Sequence, residues 1–459
     1  MTMHTFLRTA PALGLSLVLA STASAQIGRR FPSEKKVVPD PVTGIPLTFL
    51  TSTPAGDSKI YPTHPQWTSD GKWLIFRSNR AAGQAMAVNE ETGDMVQVTE
   101  AGYTGMLCVA RLSMKLYVMR VAAGGAGAGP GGSGRPRSPL QLVEIDLGRL
   151  FADSTAGTLM TASIYERVCG TIPADMNAGG DMALDANEDV AYFRLESPDL
   201  ASRLPAGTKI AEPFGPRGMG AGPSGLAGMN LKTGEIKFIV AVPFRIGHVQ
   251  TNPWVPGEIV FCWETGGKAP QRTWTVMADG TGLRPLYPEA PYEWVTHEAV
   301  ITRDEVAIAI LGHRGPHASA GPGQEAAWGP AGFPDHPTGV GIVNLRTREM
   351  RIAGQVPVGD PGNSIWHVNG SADGRWAVAD DFQYRLWLID RRTGEMILLS
   401  DNGHKRTAAD HQHPTFSADG TRIEIQSAML SADGRSMNIC IVPVPKSWLA
   451  RTYAGTIAQ

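Results

Sequence analysis

The sequence predicts an all-β protein, a seven-bladed β-propeller with four-stranded antiparallel blades. Three observations carry this expectation. A turn-then-strand unit recurs along the chain at a spacing of roughly 40 to 55 residues, the period of propeller blades rather than of a solenoid. A second turn motif follows each copy and joins two short β-rich runs. No long amphipathic helical pattern competes with the strands.

Composition agrees. The chain has 459 residues, 18% charged and 42% hydrophobic, which describes a globular protein and excludes a disordered one. All-β folds of this length are commonly one unit, so residues 26–459 are read as a single propeller domain. The 53 glycines and 34 prolines imply frequent turns, and 11 tryptophans suit an interior built from strands. A net charge of −2 gives no reason to expect nucleic acid or an anionic membrane as partner.

At the N-terminus, Arg8 precedes an apolar stretch, Leu13 to Ala20, and then the small residues Ala23-Ser24-Ala25. This is the pattern of a cleaved export signal over residues 1–25, with the mature chain beginning at Gln26. The protein is therefore expected to be exported, periplasmic or secreted. No later stretch is apolar for long enough to insert in a membrane. The run Leu47 to Thr51 is expected to complete the last blade and close the ring.

The first repeat motif reads His64-Pro65-Gln66-Trp67-Thr68-Ser69-Asp70-Gly71. It returns as His367 to Gly374 and as His413 to Gly420. Asp-Gly here predicts a tight hairpin with both central residues at positive φ. The second motif reads Glu91-Thr92-Gly93-Asp94, Lys232-Thr233-Gly234-Glu235, Arg346-Thr347-Arg348-Glu349 and Arg392-Thr393-Gly394-Glu395. Blades are expected to start near Lys59, Gly105, Ser163, Gly247, Thr296, Ser364 and His411. Three Gly/Pro-rich inserts, near residues 122–139, 204–228 and 312–339, have little capacity to form a core and read as loops. The four cysteines contain no CxxC pair. Cys262 and Cys440 lie in apolar runs and read as buried small hydrophobes.

The chemistry-bearing residues are histidines. His411 and His413 alternate on one strand face, and His297 stands at a comparable blade entry. Three imidazoles suit manganese, iron, nickel or zinc and leave coordination positions open. A lone histidine before proline, such as His64, reads as a turn or packing residue.

The stretch from Gly247-His248-Val249-Gln250 runs through Phe261-Cys262-Trp263-Glu264 and Gln271-Arg272-Thr273-Trp274 to His297-Glu298. With the ending His411-Gln412-His413-Pro414-Thr415-Phe416, it resembles the oligogalacturonate lyases over most of the mature chain. The resemblance implies a seven-bladed propeller that cleaves uronate oligosaccharides by metal-assisted β-elimination. It implies a divalent metal, Mn²⁺ in kind, held by His297, His411 and His413. It makes His248 the base that takes the C5 proton, leaving a 4,5-unsaturated product. Arg272 is the candidate to pair with a substrate carboxylate, or else a strand arginine packed beside Trp274. Glu264 and Glu298 are candidates to orient these groups. The chain departs from the family at one ligand: the glutamine expected three residues before His411 is Ala408. Gln412 points to the other strand face, which leaves His367, His404 or a water as replacements.

Two readings of function stand beside each other at this point. The intact His248, His297, His411 and His413 set argues for a lyase. Ala408 and the long inserts argue for a TolB-like propeller that binds protein or carbohydrate without turnover. A third reading, a serine-peptidase propeller, is weak, since the sequence has no G-x-S-x-G elbow.

Overall fold

The structure is a computed structural model. It describes residues 26–122, 138–213, 219–265, 269–290, 293–313, 339–355, 364–401, 403, 405 and 407–453. Residues 1–25, expected from sequence to be an export signal, lie outside the described residues, as do His404, nearly all of the first insert and most of the third.

Seven antiparallel sheets form seven blades. Their innermost strands are Ser58–Lys59, Thr104–Val109, Ala178–Leu184, Ile246–Thr251, Glu293–Thr302, Ile365–Gly370 and Thr415–Phe416. Five blades have four strands, as expected. The first gains a fifth, Arg30–Phe31, beside Met95–Gln97. The last is completed from the other end of the chain: Pro46–Phe49 pairs with Asn438–Pro443, and Lys36–Pro39 pairs outside it.

Because each sheet is covered on both faces by its neighbours, its central strands read as continuous apolar runs. The core therefore lies between blades. Ile75 and Ala87 of the first blade pack with Val109, Leu116, Val118 and Val143 of the second. Trp376 and Leu388 of the sixth pack with Ile425 and Cys440 of the seventh. All four cysteines are buried and free.

Both repeat motifs are built on side-chain bonds. In the first, a hydroxyl bonds the Asp carboxylate: Thr68 to Asp70 at 2.7 Å, Ser371 to Asp373 and Ser417 to Asp419 at 2.6 Å. Only the glycine of each turn is left-handed, so these are not the mirror-image turns expected from Asp-Gly. A fourth copy, Ser431 to Gly434, closes a turn within the last blade. In the second motif, Asn89, Asn230 and Asn344 precede the turn, and each side chain accepts from the amides two and three residues on. Asp390 does the same in the sixth blade.

Two expectations need correction. The third blade begins at Ala178, not near Ser163. A helix, Leu147–Ala156, intervenes between strands three and four of the second blade, so Glu166–Ile172 still belongs to that blade. Asp146 caps the helix through the Arg149 amide, and Gly157 ends it in the left-handed region. The second insert is also not all loop, since Ala221–Asn230 is the third strand of blade three. Its glycines serve close approach. A Cβ on Gly222 would lie 2.2 Å from the Pro243 carbonyl, and one on Gly225 would lie 2.8 Å from Leu200.

Candidate active site

Inner strands line the central channel of a propeller, and here most of them carry a β-bulge. Pairing slips between Gly247 and Gln250, between Thr296 and Glu298, and between Ile365 and Val368. A bulge inserts an extra residue and re-aims its side chain. The residues within these slips include His248, His297 and His367. His248, His297 and His413 all have positive φ, at 49°, 34° and 53°. Such backbone is uncommon for residues other than glycine and is held only where the surroundings fix it.

The bulges bring the imidazoles together. Ring centroids lie 5.7 Å apart for His248 and His297, 4.2 Å for His297 and His367, and 4.0 Å for His367 and His413. His411 stands 5.7 Å from His367 and also touches Trp366, Phe382 and Tyr384. Tyr61, just after the first inner strand, packs against His248 at 4.8 Å and His413 at 5.2 Å.

His248 sits in a charged pocket. Its Nδ1 is 2.8 Å from Glu298 Oε1, and its Nε2 is 3.4 Å from Glu264 Oε2. The Glu298 bond places the proton of the neutral ring on Nδ1 and leaves Nε2 as the basic atom. Arg272 Nε bonds Glu298 at 3.2 Å, and a terminal nitrogen lies 3.8 Å from Glu264 and 3.4 Å from His248 Nδ1. Burial alone would lower the pKa of His248. Glu298 and then Glu264 outweigh it and hold the imidazole above its ordinary value. Burial likewise works to raise Glu298, but Arg272 and His248 prevail and keep it below the usual carboxylate range.

The other imidazoles have the opposite character. Burial, followed by His367 and Arg272, pushes His297 well below its ordinary pKa; burial with His413 and His411 does the same to His367. Both rings are thus neutral near pH 7, the form in which imidazole binds metals. His297 donates from Nδ1 to the Trp366 carbonyl at 2.7 Å, which frees Nε2. His413 lies between Asp410 (Nε2 to Oδ1, 3.4 Å) and the Gln426 amide. This donor set, several imidazoles with carboxylates beside them, fits a divalent transition metal.

Two solved structures match the chain over nearly all of its described length. One is an oligogalacturonate lyase in complex with manganese, at TM-score 0.68 and 18% identity, covering 93% of this chain and 100% of that chain. The fold is that of the oligogalacturonate lyases. A second lyase, from Vibrio parahaemolyticus, matches at TM-score 0.66 and 18% identity with the same coverage. No family model and no curated protein matches the sequence.

Within this lyase fold, the five residues singled out from sequence all reach the same cluster. His248 and Arg272 touch directly, and His297, His411 and His413 gather around His367. Glu298 and Glu264 lie against both His248 and Arg272, where groups that orient them would stand. Arg272 is more enclosed than a substrate-binding arginine needs to be, with 4% of its side chain exposed. Asp380 and Tyr61 were not anticipated. Asp380 left a signal, a carboxylate in the apolar strand Trp376–Asp381; Tyr61 left none. Gln412 is fully buried with neither atom of its side-chain amide bonded among the described residues. The strand expected to carry His411 and His413 on one face begins only at Thr415, and His413 has left-handed backbone, so strand alternation does not set these positions. His64 is a packing residue: its Nε2 bonds the Met182 carbonyl at 2.7 Å. At the far end of the channel, between the Asp-Gly turns, a separate cavity of about 410 Å³ is lined by Trp67, Trp254 and Phe416.

Proposed function

We propose that the protein cleaves uronate oligosaccharides by β-elimination, as an oligogalacturonate lyase does, with a divalent metal as cofactor, Mn²⁺ in kind. The observation that carries this reading is the adjacency of two unlike histidine environments. One imidazole, His248, is held basic between carboxylates, and a group of four others, of which His297 and His367 are held neutral, stands beside it.

A uronate C5 proton is only weakly acidic while the neighbouring carboxylate is charged, so its removal needs both a base and a compensating positive charge. His248 Nε2 takes the C5 proton. The C–H electron pair becomes the C4=C5 double bond, the C4–O bond breaks, and the leaving oxygen takes a proton from solvent. Glu298 holds His248 in the required tautomer. Arg272 fixes Glu298 and Glu264 and keeps positive charge beside the base; this enclosed position favours holding the glutamates over direct pairing with substrate. His297, His411 and His413 would hold the metal, whose charge neutralises the substrate carboxylate as the intermediate forms. The residues ahead of Gln26 carry an export pattern, so the proposed setting is periplasmic or secreted.

Ala408 favours a second reading, a propeller that binds carbohydrate or protein without turnover, because it offers no donor where the lyases are expected to have one. The purified protein with added Mn²⁺ and digalacturonate or trigalacturonate separates the two. A chelator-sensitive rise in ultraviolet absorbance from the unsaturated product is expected, and His248→Ala should abolish it while metal content is unchanged. Metal bound without turnover of any uronate tested would support the binding propeller instead.

A further inference from the structure

We infer that His367 is a metal ligand in this chain, standing in for the amide donor missing at residue 408, and that Asp380 is its positioning residue. This rests on the proposed cation site and names a member of it that the expected ligand set lacks.

Three observations support the assignment. His367 is the hub of the imidazole group, in ring contact with His297, His411 and His413 at 4.2, 5.7 and 4.0 Å. A ring nitrogen of His367, a ring nitrogen of His411 and a carboxylate oxygen of Asp380 lie within 4.8 Å of one another. Two imidazoles bound to one ion at about 2.1 Å each have their nitrogens at most about 4.2 Å apart. The grouping is thus close to the size that one ion would draw together.

The support behind His367 is also of the right kind. Its Nδ1 is 3.1 Å from Asp380 Oδ2 and 3.2 Å from Oδ1. The same carboxylate accepts from the backbone amides of His367 and His413. Asp380 therefore fixes the His367 ring, sets its proton on Nδ1 and leaves Nε2 for a ligand, the arrangement that metal-binding histidines usually show. Both side chains are nearly or fully buried, 4% and 0% exposed.

Exchanging an amide oxygen donor for an imidazole nitrogen has a chemical consequence. Nitrogen-rich sites favour the later divalent metals over manganese more strongly than mixed oxygen–nitrogen sites do. The site should therefore discriminate against Mn²⁺ more than one with a glutamine ligand.

Metal titration tests this without substrate. Metal-free protein is titrated with Co²⁺, followed by its visible spectrum, and with Mn²⁺ and Zn²⁺ in competition. Asp380→Asn should weaken Co²⁺ binding by about 10- to 100-fold. His367→Ala, which removes the ligand itself, should weaken it more and change the spectrum. The double variant His367→Ala with Ala408→Gln should regain Mn²⁺ binding and show a smaller Zn²⁺-to-Mn²⁺ affinity ratio than the parent protein. The melting temperatures of the metal-free forms are compared, and His367→Phe, which keeps a ring but offers no donor, replaces the alanine variant if that fails to fold. Unchanged Co²⁺ affinity and spectrum in the folded variant would overturn the assignment. His367-dependent binding in a protein that turns over no uronate would sustain the assignment and defeat the lyase reading.

Discussion

His248 is placed between two carboxylates of unequal burial, with Glu298 fully enclosed and Glu264 partly exposed. Their charge holds its pKa above the ordinary value near 6.5. A base works only when unprotonated, so activity is expected to rise with pH through a limb above 6.5. Glu298→Gln removes the nearer anion and should shift that limb to lower pH while reducing kcat; kcat/KM measured against pH in both forms checks this. A limb that stays in place would mean that His248 is not the titrating base. At this scale the sequence was informative where a motif carried the residue: His248, His297, His411 and His413 were all recognisable from their neighbours. The central position of His367 was not, because it depends on contacts with the fifth and seventh blades that no local pattern records, and the buried carboxylate of Asp380, visible in its strand, did not reveal its partners.

Strands are the elements here, and their irregularities aim the site. Three slips in pairing turn His248, His297 and His367 toward one another, and each places its residue where a regular strand would not. The period-two rule located the strands but not the slips, since a bulge leaves alternation intact on either side. Composition misled in the other direction. The segment Ala221–Asn230 has the glycine content of a loop, yet it forms a strand because its neighbours approach too closely for side chains. Gly105 makes the same point in the second blade. Its φ is +73°, and a Cβ there would lie 2.1 Å from the Gly180 carbonyl of the next inner strand. Gly71, at φ +69°, has nothing within 4 Å of an added Cβ. Gly71→Ala should therefore cost about 1–2 kcal/mol for left-handed backbone alone. Gly105→Ala should add about 1–3 kcal/mol of overpacking to that. Urea denaturation of the two variants measures the difference, and equal losses would show that the contact between the second and third blades yields freely.

At the scale of the ring, the N-terminal segment spans the joint between the last blade and the first: Arg30–Phe31 and Ser58–Lys59 belong to the first blade, Lys36–Pro39 and Pro46–Phe49 to the last. The strand expected near Leu47 to Thr51 does complete the last blade, and a buried ion pair crosses the same joint. Lys59 Nζ lies 3.7 Å from Glu424 and bonds Thr415 at 2.8 Å, with both charged side chains fully enclosed. Burial pushes Lys59 down to about 8 and Glu424 up to about 7. Breaking such a pair is costlier than replacing it, because one charge is left stranded. Lys59→Met alone should destabilise by about 3–5 kcal/mol, whereas Lys59→Met with Glu424→Leu should recover most of the loss. If the double variant is no more stable than the single one in chemical denaturation, the joint depends on the pair itself. The same joint governs time as well as stability. Ile439 and Thr51, bonded across the last sheet, stand 388 residues apart in sequence. Closing so long a loop adds little to the equilibrium cost, because that cost grows only with the logarithm of length, but distant contacts slow the search for them. A chain still on the ribosome, lacking its final strands, cannot shut the circle however many blades have formed. The last blade thus acts as a latch that is thrown once, at the end of synthesis.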